Sequence, residues 1–261
     1  MGRPRAKSDR PADSRAEAAV GEFLDANFYP AVMPRLGCSW RRVDDAARQV
    51  AGVDVEVRLA GGLLLAVDEK SQVDYLASPL PTFVLELGFT GRDGRRQQGW
   101  FLNDELKTDA YLFVWPRADV AKRELSAARI LRCECMTVPR AGLRRELEAA
   151  GWGRERLARL ERAVCEGPWP HSHSVPFSQA ENGAAEGAAP RGPAECAGPD
   201  VDGVKVSRSP RLAENPVNLV VKKEFLLRCA TGHYDVRPGR VDVLGVPKAL
   251  AGLSPLAPTS S

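Results

Sequence analysis

The stretch Val53–Lys70 constrains this chain more than any other part of it. Val53-Asp54-Val55-Glu56-Val57 and Leu63-Leu64-Leu65-Ala66-Val67-Asp68-Glu69-Lys70 are two apolar-rich runs separated by Gly61-Gly62. Runs of that kind around a glycine pair predict a β-hairpin. Side chains alternate across a strand, so Asp68, Lys70 and Gln72 share one face and Glu69 takes the other. The hairpin brings Asp54 beside them. A register slip of one residue would exchange Glu69 for Asp68. Two carboxylates and a lysine at one strand end can hold a hard divalent cation and touch a phosphate. An isolated Asp-x-Lys triplet, by contrast, is ordinarily a solvated strand end, so the acid on the neighbouring strand gives the pattern its weight.

The order Asp54, then Asp68-Glu69-Lys70, resembles the PD-(D/E)xK nuclease superfamily, the restriction-endonuclease-like fold. That resemblance implies an α/β architecture, a central mixed sheet flanked by helices. It implies Asp54 and Asp68 as metal-binding acids, with Lys70 at the attacking water or the scissile phosphate. Glu22, on a helix-like segment ahead of the hairpin, takes the place of the superfamily's helix acid; an ordinary exposed carboxylate is the alternative. Gln49 precedes the first acid and Gln72 extends the lysine strand, so both join the implied catalytic set as hydrogen-bonding groups. The backbone carbonyl of Glu69 would complete a shell for Mg²⁺ or Mn²⁺. The implied activity is metal-dependent hydrolysis of phosphodiester bonds in DNA. The region Gly99–Pro116, with Trp100, Trp115 and the step Lys107-Thr108-Asp109, is similar to one branch of these proteins, and makes Lys107 a phosphate-contact candidate, with a plain surface lysine as the alternative.

With 261 residues the chain can bury one substantial core and still carry tails. A net charge of +3 permits a nucleic-acid partner without demanding one. No apolar run reaches membrane-spanning length, and the basic start Met1–Lys7 lacks the apolar stretch of a secretory signal. The six cysteines form no Cys-x-x-Cys pair. Cys133 and Cys135 alternate as in a strand, which predicts a buried, reduced pair and fits a reducing cytoplasm.

Residues 1–14 read as a disordered basic tail, 15–167 as the nuclease-like core, 168–209 as a low-complexity linker and 210–261 as a C-terminal segment docking on the core. A helix begins near Arg15, buries Val20, Phe23, Leu24 and Phe28, and ends at Pro30. Thr82–Phe89 and Ala110–Trp115 read as strands, the second closed by Pro116. Glu86, in the first of these, either joins the site or lies on a polar sheet face. Arg92, Arg95 and Arg96 occupy a turn that suits phosphate contacts, although each alone is more ordinarily a solvated tip residue. Ser126–Val138 alternates as a strand with Leu131, Cys133 and Cys135 on one face. Leu143–Ala150 and Arg154–Cys165 read as two arginine-rich helices, able to lie along a nucleic acid or to pair with their own glutamates. His171 and His173 have no third ligand nearby. Beyond the linker, Val217–Val221 reads as a strand, Lys222–Leu227 as a short helix or turn, Tyr234–Val243 as extended and Val246–Leu250 as a last turn.

The rival to the nuclease reading is a binding or scaffold protein on the same fold, catalytically inactive. A nucleotide-processing α/β enzyme is a weaker third, since no phosphate loop, dinucleotide fingerprint or nucleophile elbow occurs in the sequence.

Overall fold

The computed structural model describes residues 10–91, 93–166, 174–175, 204–209, 212 and 214–245. In chain order come α1 (Arg10–Asn27), α2 (Tyr29–Val32), β1 (Ser39–Arg42), α3 (Ala46–Val50), β2 (Val55–Arg58) and β3 (Leu64–Ser71). Next are β4 (Thr82–Thr90), β5 (Arg96–Gln98), β6 (Ala110–Ala118), β7 (Ile130–Pro139), α4 (Arg140–Ala149) and α5 (Arg154–Glu166). Last come β8 (Ser174–Val175), β9 (Val204–Arg208), β10 (Val217–Lys222), α6 (Lys223–Leu227), β11 (Gly232–Arg237) and β12 (Arg240–Gly245).

The chain divides into two compact units whose segments alternate. One comprises Arg10–Leu80, Glu105–Leu143 and the chain from Leu226 onward; the other comprises Pro81–Asp104 and Arg144–Phe225. The continuous core expected over 15–167 is therefore shared between two units.

The first unit is a mixed α/β structure on a seven-stranded sheet, ordered β1-β2-β3-β6-β7-β11-β12. The expected hairpin is present as β2 and β3, paired Val55↔Val67 through Arg58↔Leu64. Gly62 lies at φ +84°, a backbone conformation that favours glycine, which is what the tight connection requires. β3 runs parallel to β6, while the other neighbours are antiparallel. A parallel pair needs a long crossover, and here the crossover contains Pro81–Asp104 of the second unit. β6 continues through Pro116 to Ala118 rather than stopping there, with a register shift at Arg117/Ala118.

One face of this sheet and α1 form the core. Ala16, Ala19, Val20, Phe23 and Leu24 of the helix meet Val55, Val57, Val67, Leu112, Val114, Cys133, Cys135, Tyr234 and Val236 of the strands. Each large apolar side chain so buried contributes roughly 1.5–3 kcal/mol. α1 begins at Arg10, five residues before the sequence expectation. Pro11 falls in the first turn, where its missing N–H breaks no helical bond, and Asp13 complements the helix dipole there. Pro30 stands in the first turn of α2 instead of ending α1. Cys133 and Cys135 share the buried face as expected, and burial raises both thiols above their ordinary range. Leu131, placed with them from the sequence, is exposed.

The second unit holds a five-stranded sheet ordered β5-β4-β10-β9-β8. β9 falls inside the segment expected to be linker, yet it pairs with β10 from Val204↔Val221 to Arg208↔Val217. In α5, Leu157, Leu160 and Val164 are buried, as their spacing predicts. The C-terminal segment contributes to both sheets, through β10 in one and β11–β12 in the other. His171, His173 and the turn expected at Val246–Leu250 lie outside the described residues. Among the described residues no helix is long and apolar enough to cross a membrane.

Candidate active site

The hairpin sets two carboxylates and a lysine side by side. Asp54 stands one residue before β2, and its N–H donates to the carbonyl of Val67 (2.9 Å). Asp68 follows Val67 directly. The Asp54 carboxylate, through Oδ2, accepts from the backbone N–H of Glu69 (2.8 Å). Lys70 Nζ donates to Asp68 Oδ1 at 2.5 Å. Asp68 is 2 % exposed, and its Oδ2 has no hydrogen-bond partner. Leaving a buried carboxylate oxygen unpaired costs more than the average hydrogen bond contributes, so such an atom calls for a cation or a donor from outside the chain.

The local backbone explains this closeness. Gly52 adopts φ +78°, and a Cβ there would strike Thr108 Oγ1 and stand 3.5 Å from Asp68 Oδ2. Thr108 in turn donates to the Gly52 carbonyl (2.9 Å). Only a residue without a side chain lets the 106–109 segment lie so close beneath Asp68.

Charge is imbalanced at this point. Burial, and then the Asp68 carboxylate, push Asp54 up to about 7, against the pull of Lys70 and the Glu69 N–H. Burial works against the Lys70 ammonium, but Asp68, Asp54 and Glu17 outweigh it, so its pKa rises. Glu17 on α1 belongs to the same electrostatic group. Desolvation raises its pKa, Lys70 lowers it, and Asp13 and Asp68 raise it further. One lysine stands among these acids, and the crowding of like charge raises Asp54 and Glu17.

Glu17, not Glu22, is therefore the helix acid that senses the cluster. The two are five residues apart, which turns them to different sides of a helix with 3.6 residues per turn, although both are exposed. The sequence signal for Glu17 was its spacing from the apolar stripe, one position after Ala16 and three before Val20.

Glu69 is directed away, as the alternation required. Its carboxylate accepts from Tyr29 Oη (2.6 Å) and from Arg42 Nη1 (2.6 Å) and Nη2 (3.1 Å), and Arg42 also pairs with Asp25 at 2.5 Å. The side chain is thus a fastening between β3 and the α1–α2 region, not a metal ligand. Gln49 and Gln72 also bond within the chain. Gln49 Nε2 donates to the Val43 carbonyl (2.8 Å), and Gln72 Oε1 accepts from the Leu80 N–H (2.7 Å).

Of the expected arginine contacts, Arg95 and Arg96 belong to the second unit. Arg96 pairs with Glu161 (2.6 Å) and donates to the Asn215 carbonyl (2.8 Å), so its charge is committed within the second unit. Arg95 is exposed there, and Arg92 lies outside the described residues. Glu86 belongs to β4 of the same unit. Arg144 and Arg154, from the two basic helices, both pair with Asp104. Lys107 is in the first unit, exposed, on the segment beside Gly52.

Among the described residues no three acid, histidine or cysteine side chains converge as a complete metal cage. Mg²⁺ does not need one, since it is commonly held by one or two carboxylates with the remaining positions taken by water and substrate phosphate. Asp54 and Asp68, hard oxygen donors with one orphaned oxygen between them, fit that description. Comparison with protein-family models, curated proteins and solved structures gave no match to this chain.

Proposed function

We propose that this protein is a metal-dependent phosphodiesterase acting on nucleic acid, with DNA as the substrate implied by its PD-(D/E)xK-like pattern. The observation that carries the reading is the buried Asp68 carboxylate with an unpartnered Oδ2, set beside Asp54, whose pKa is raised, and a half-buried Lys70. The chain order supports it further: a helix, an antiparallel meander of β1, β2 and β3 carrying the acids, and then a strand parallel to β3.

In this reading Asp54 and Asp68 would hold Mg²⁺ or Mn²⁺, which would supply an acidified water and offset charge at the phosphate. Asp54 must first release its proton. Lys70, already fixed on Asp68, places a positive charge where the phosphate's non-bridging oxygen gathers negative charge. Glu17 accepts or holds a proton near Lys70. Gly52 and Thr108 keep Asp68 from turning out of the site.

The test is cleavage of supercoiled, linear, single-stranded and branched DNA in Mg²⁺ or Mn²⁺, comparing wild type with Asp68→Asn and Lys70→Ala. Metal-dependent cutting reduced by about 10²-fold or more in both variants is expected, the usual size for loss of a transition-state charge partner. Binding without cutting, unchanged by either substitution, would instead favour a non-catalytic role on nucleic acid.

A further inference from the structure

A second concavity lies on the same sheet face as the acid–lysine cluster. Strand alternation puts Leu64, Ala66, Asp68 and Lys70 on one side of β3, and Glu56, with Asp54 just ahead of the strand, on the matching side of β2. Leu64, Ala66 and Glu56 line a pocket of about 170 Å³ with Ala51, Val53, Arg48, Lys107 and Asp109. That volume is below the roughly 300 Å³ at which drug-sized ligand pockets begin, so it suits one phosphate with part of its sugar, not a whole free cofactor. Ala66 and Asp68 are two residues apart on one strand, about 7 Å, which is the scale of a single nucleotide step.

The charges around the pocket are unequally committed. Glu56 is held below the usual carboxylate range by Arg41 and Arg48, which both pair with it. Asp109 Oδ2 accepts the Ala66 N–H (2.8 Å). Both acids are thus occupied by the protein's own donors. Lys107 is exposed, and its backbone is fixed. Its N–H donates to the Ala51 carbonyl (2.8 Å), and Arg140 Nη1 donates to the neighbouring Leu106 carbonyl (2.8 Å). A rigidly mounted lysine over a shallow apolar floor of Ala51, Val53, Leu64 and Ala66 is arranged to receive a sugar-phosphate.

Resting on the nuclease reading, we infer that this pocket is a second phosphate subsite of the same active site: Lys107, with Arg48 beside it, holds the backbone phosphate next to the reacting one. A strand entering the site lies along β3, with the reacting phosphate at Asp68 and Lys70 and its neighbour at Lys107.

A double-mutant cycle between protein and substrate tests this. Single-stranded oligonucleotides that carry one uncharged methylphosphonate linkage, placed on one or the other side of the cut site, are compared with the unmodified strand. Cleavage in Mn²⁺ and binding to the Asp68→Asn protein are measured for the Lys107 and Lys107→Ala forms, with Arg129→Ala as a control for general surface charge. Neutralising the correct flanking phosphate should weaken binding by about 10-fold with Lys107 present and by less than about 2-fold with Lys107→Ala, because the two changes remove one interaction. The slope of log K against log salt should fall by about 1 for Lys107→Ala. Equal penalties in both backgrounds, on both sides of the cut, would overturn the subsite while leaving the nuclease reading intact. If the wild-type chain neither binds nor cuts any of these strands, both fail together.

Discussion

At the residue scale the central quantity is the proton on Asp54. Its carboxyl is ordinarily half-ionised near pH 3.8 and in the fold is raised to about 7. A carboxyl raised on folding contributes stability in its protonated form, fully present below the unfolded value and lost as pH rises through the folded one. Metal-free protein should therefore lose stability between about pH 4 and pH 7, by up to roughly 4 kcal/mol from this group at 1.36 kcal/mol per unit. Glu17, also raised, adds to the same trend. Melting temperatures in EDTA at pH 5 and pH 8 measure this. Wild type should melt lower at pH 8, and Asp54→Asn should flatten the difference. Added Mn²⁺ should restore the wild type at pH 8, where its ligand is free of protons, and leave Asp54→Asn almost unmoved. An Asp54→Asn protein with the wild-type pH dependence would show that the proton is elsewhere. Asp54, Asp68 and Lys70 were legible in the sequence because strand alternation and a glycine hinge suffice to juxtapose them. Glu17 was not, because choosing between acids of one helix requires knowing which side of it meets β3.

At the scale of elements, the hairpin depends on what lies behind it. Glu69 occupies the core side of β3, where Tyr29, Arg42 and Asp25 form a chain of charge-assisted hydrogen bonds. Removing one member of a mostly buried pair leaves the other desolvated and alone, which is costlier than the pair is worth. Arg42→Met should destabilise the protein by about 3 kcal/mol, and Glu69→Gln, which keeps the Tyr29 hydroxyl as a partner, by about 1–2 kcal/mol. Urea unfolding followed by circular dichroism gives both values. The same Glu69→Gln protein should bind Mn²⁺ within about 2-fold of wild type; a large loss of affinity would make the carboxylate a ligand after all. The sequence showed that Glu69 faces away but not what it meets, since Tyr29 and Arg42 are 40 and 27 residues distant along the chain. Strong strands such as β4 and β6 were legible from their apolar runs. β5, three exposed polar residues, has no such pattern and exists through pairing with β4. β9 was hidden by the Gly- and Pro-rich stretch preceding it, although Val204-Lys205-Val206 alternates correctly.

For the whole molecule, what the sequence could not display was the interleaving of two units. Each unit is assembled from segments separated by the other, and no composition shift marks the joins at residues 80, 104, 143 and 225. The C-terminal chain shows the consequence. β11 pairs with β7, and β12 completes that edge, so residues more than 90 positions beyond β7 finish the sheet that carries the acid cluster. Tyr234 and Val236 are buried in the shared core, and Tyr234 meets the ring of Phe28 edge-on at 5.3 Å. Ending the chain at Thr231 removes both, exposes the backbone groups of β7 along a long edge, and uncovers Cys133 and Cys135. Two core deletions at about 2–5 kcal/mol each approach the whole stability of an ordinary domain, about 5–15 kcal/mol. A chain of residues 1–231 should therefore fail to unfold cooperatively and should bind a hydrophobic dye, whereas a chain of residues 1–245, which keeps every described strand, should melt as the full protein does. If the 1–231 chain melted cooperatively and retained Mn²⁺ binding, the acid-bearing hairpin would be supported by α1 and β6 alone, and the remote segment would be an addition to the sheet and not a condition for it.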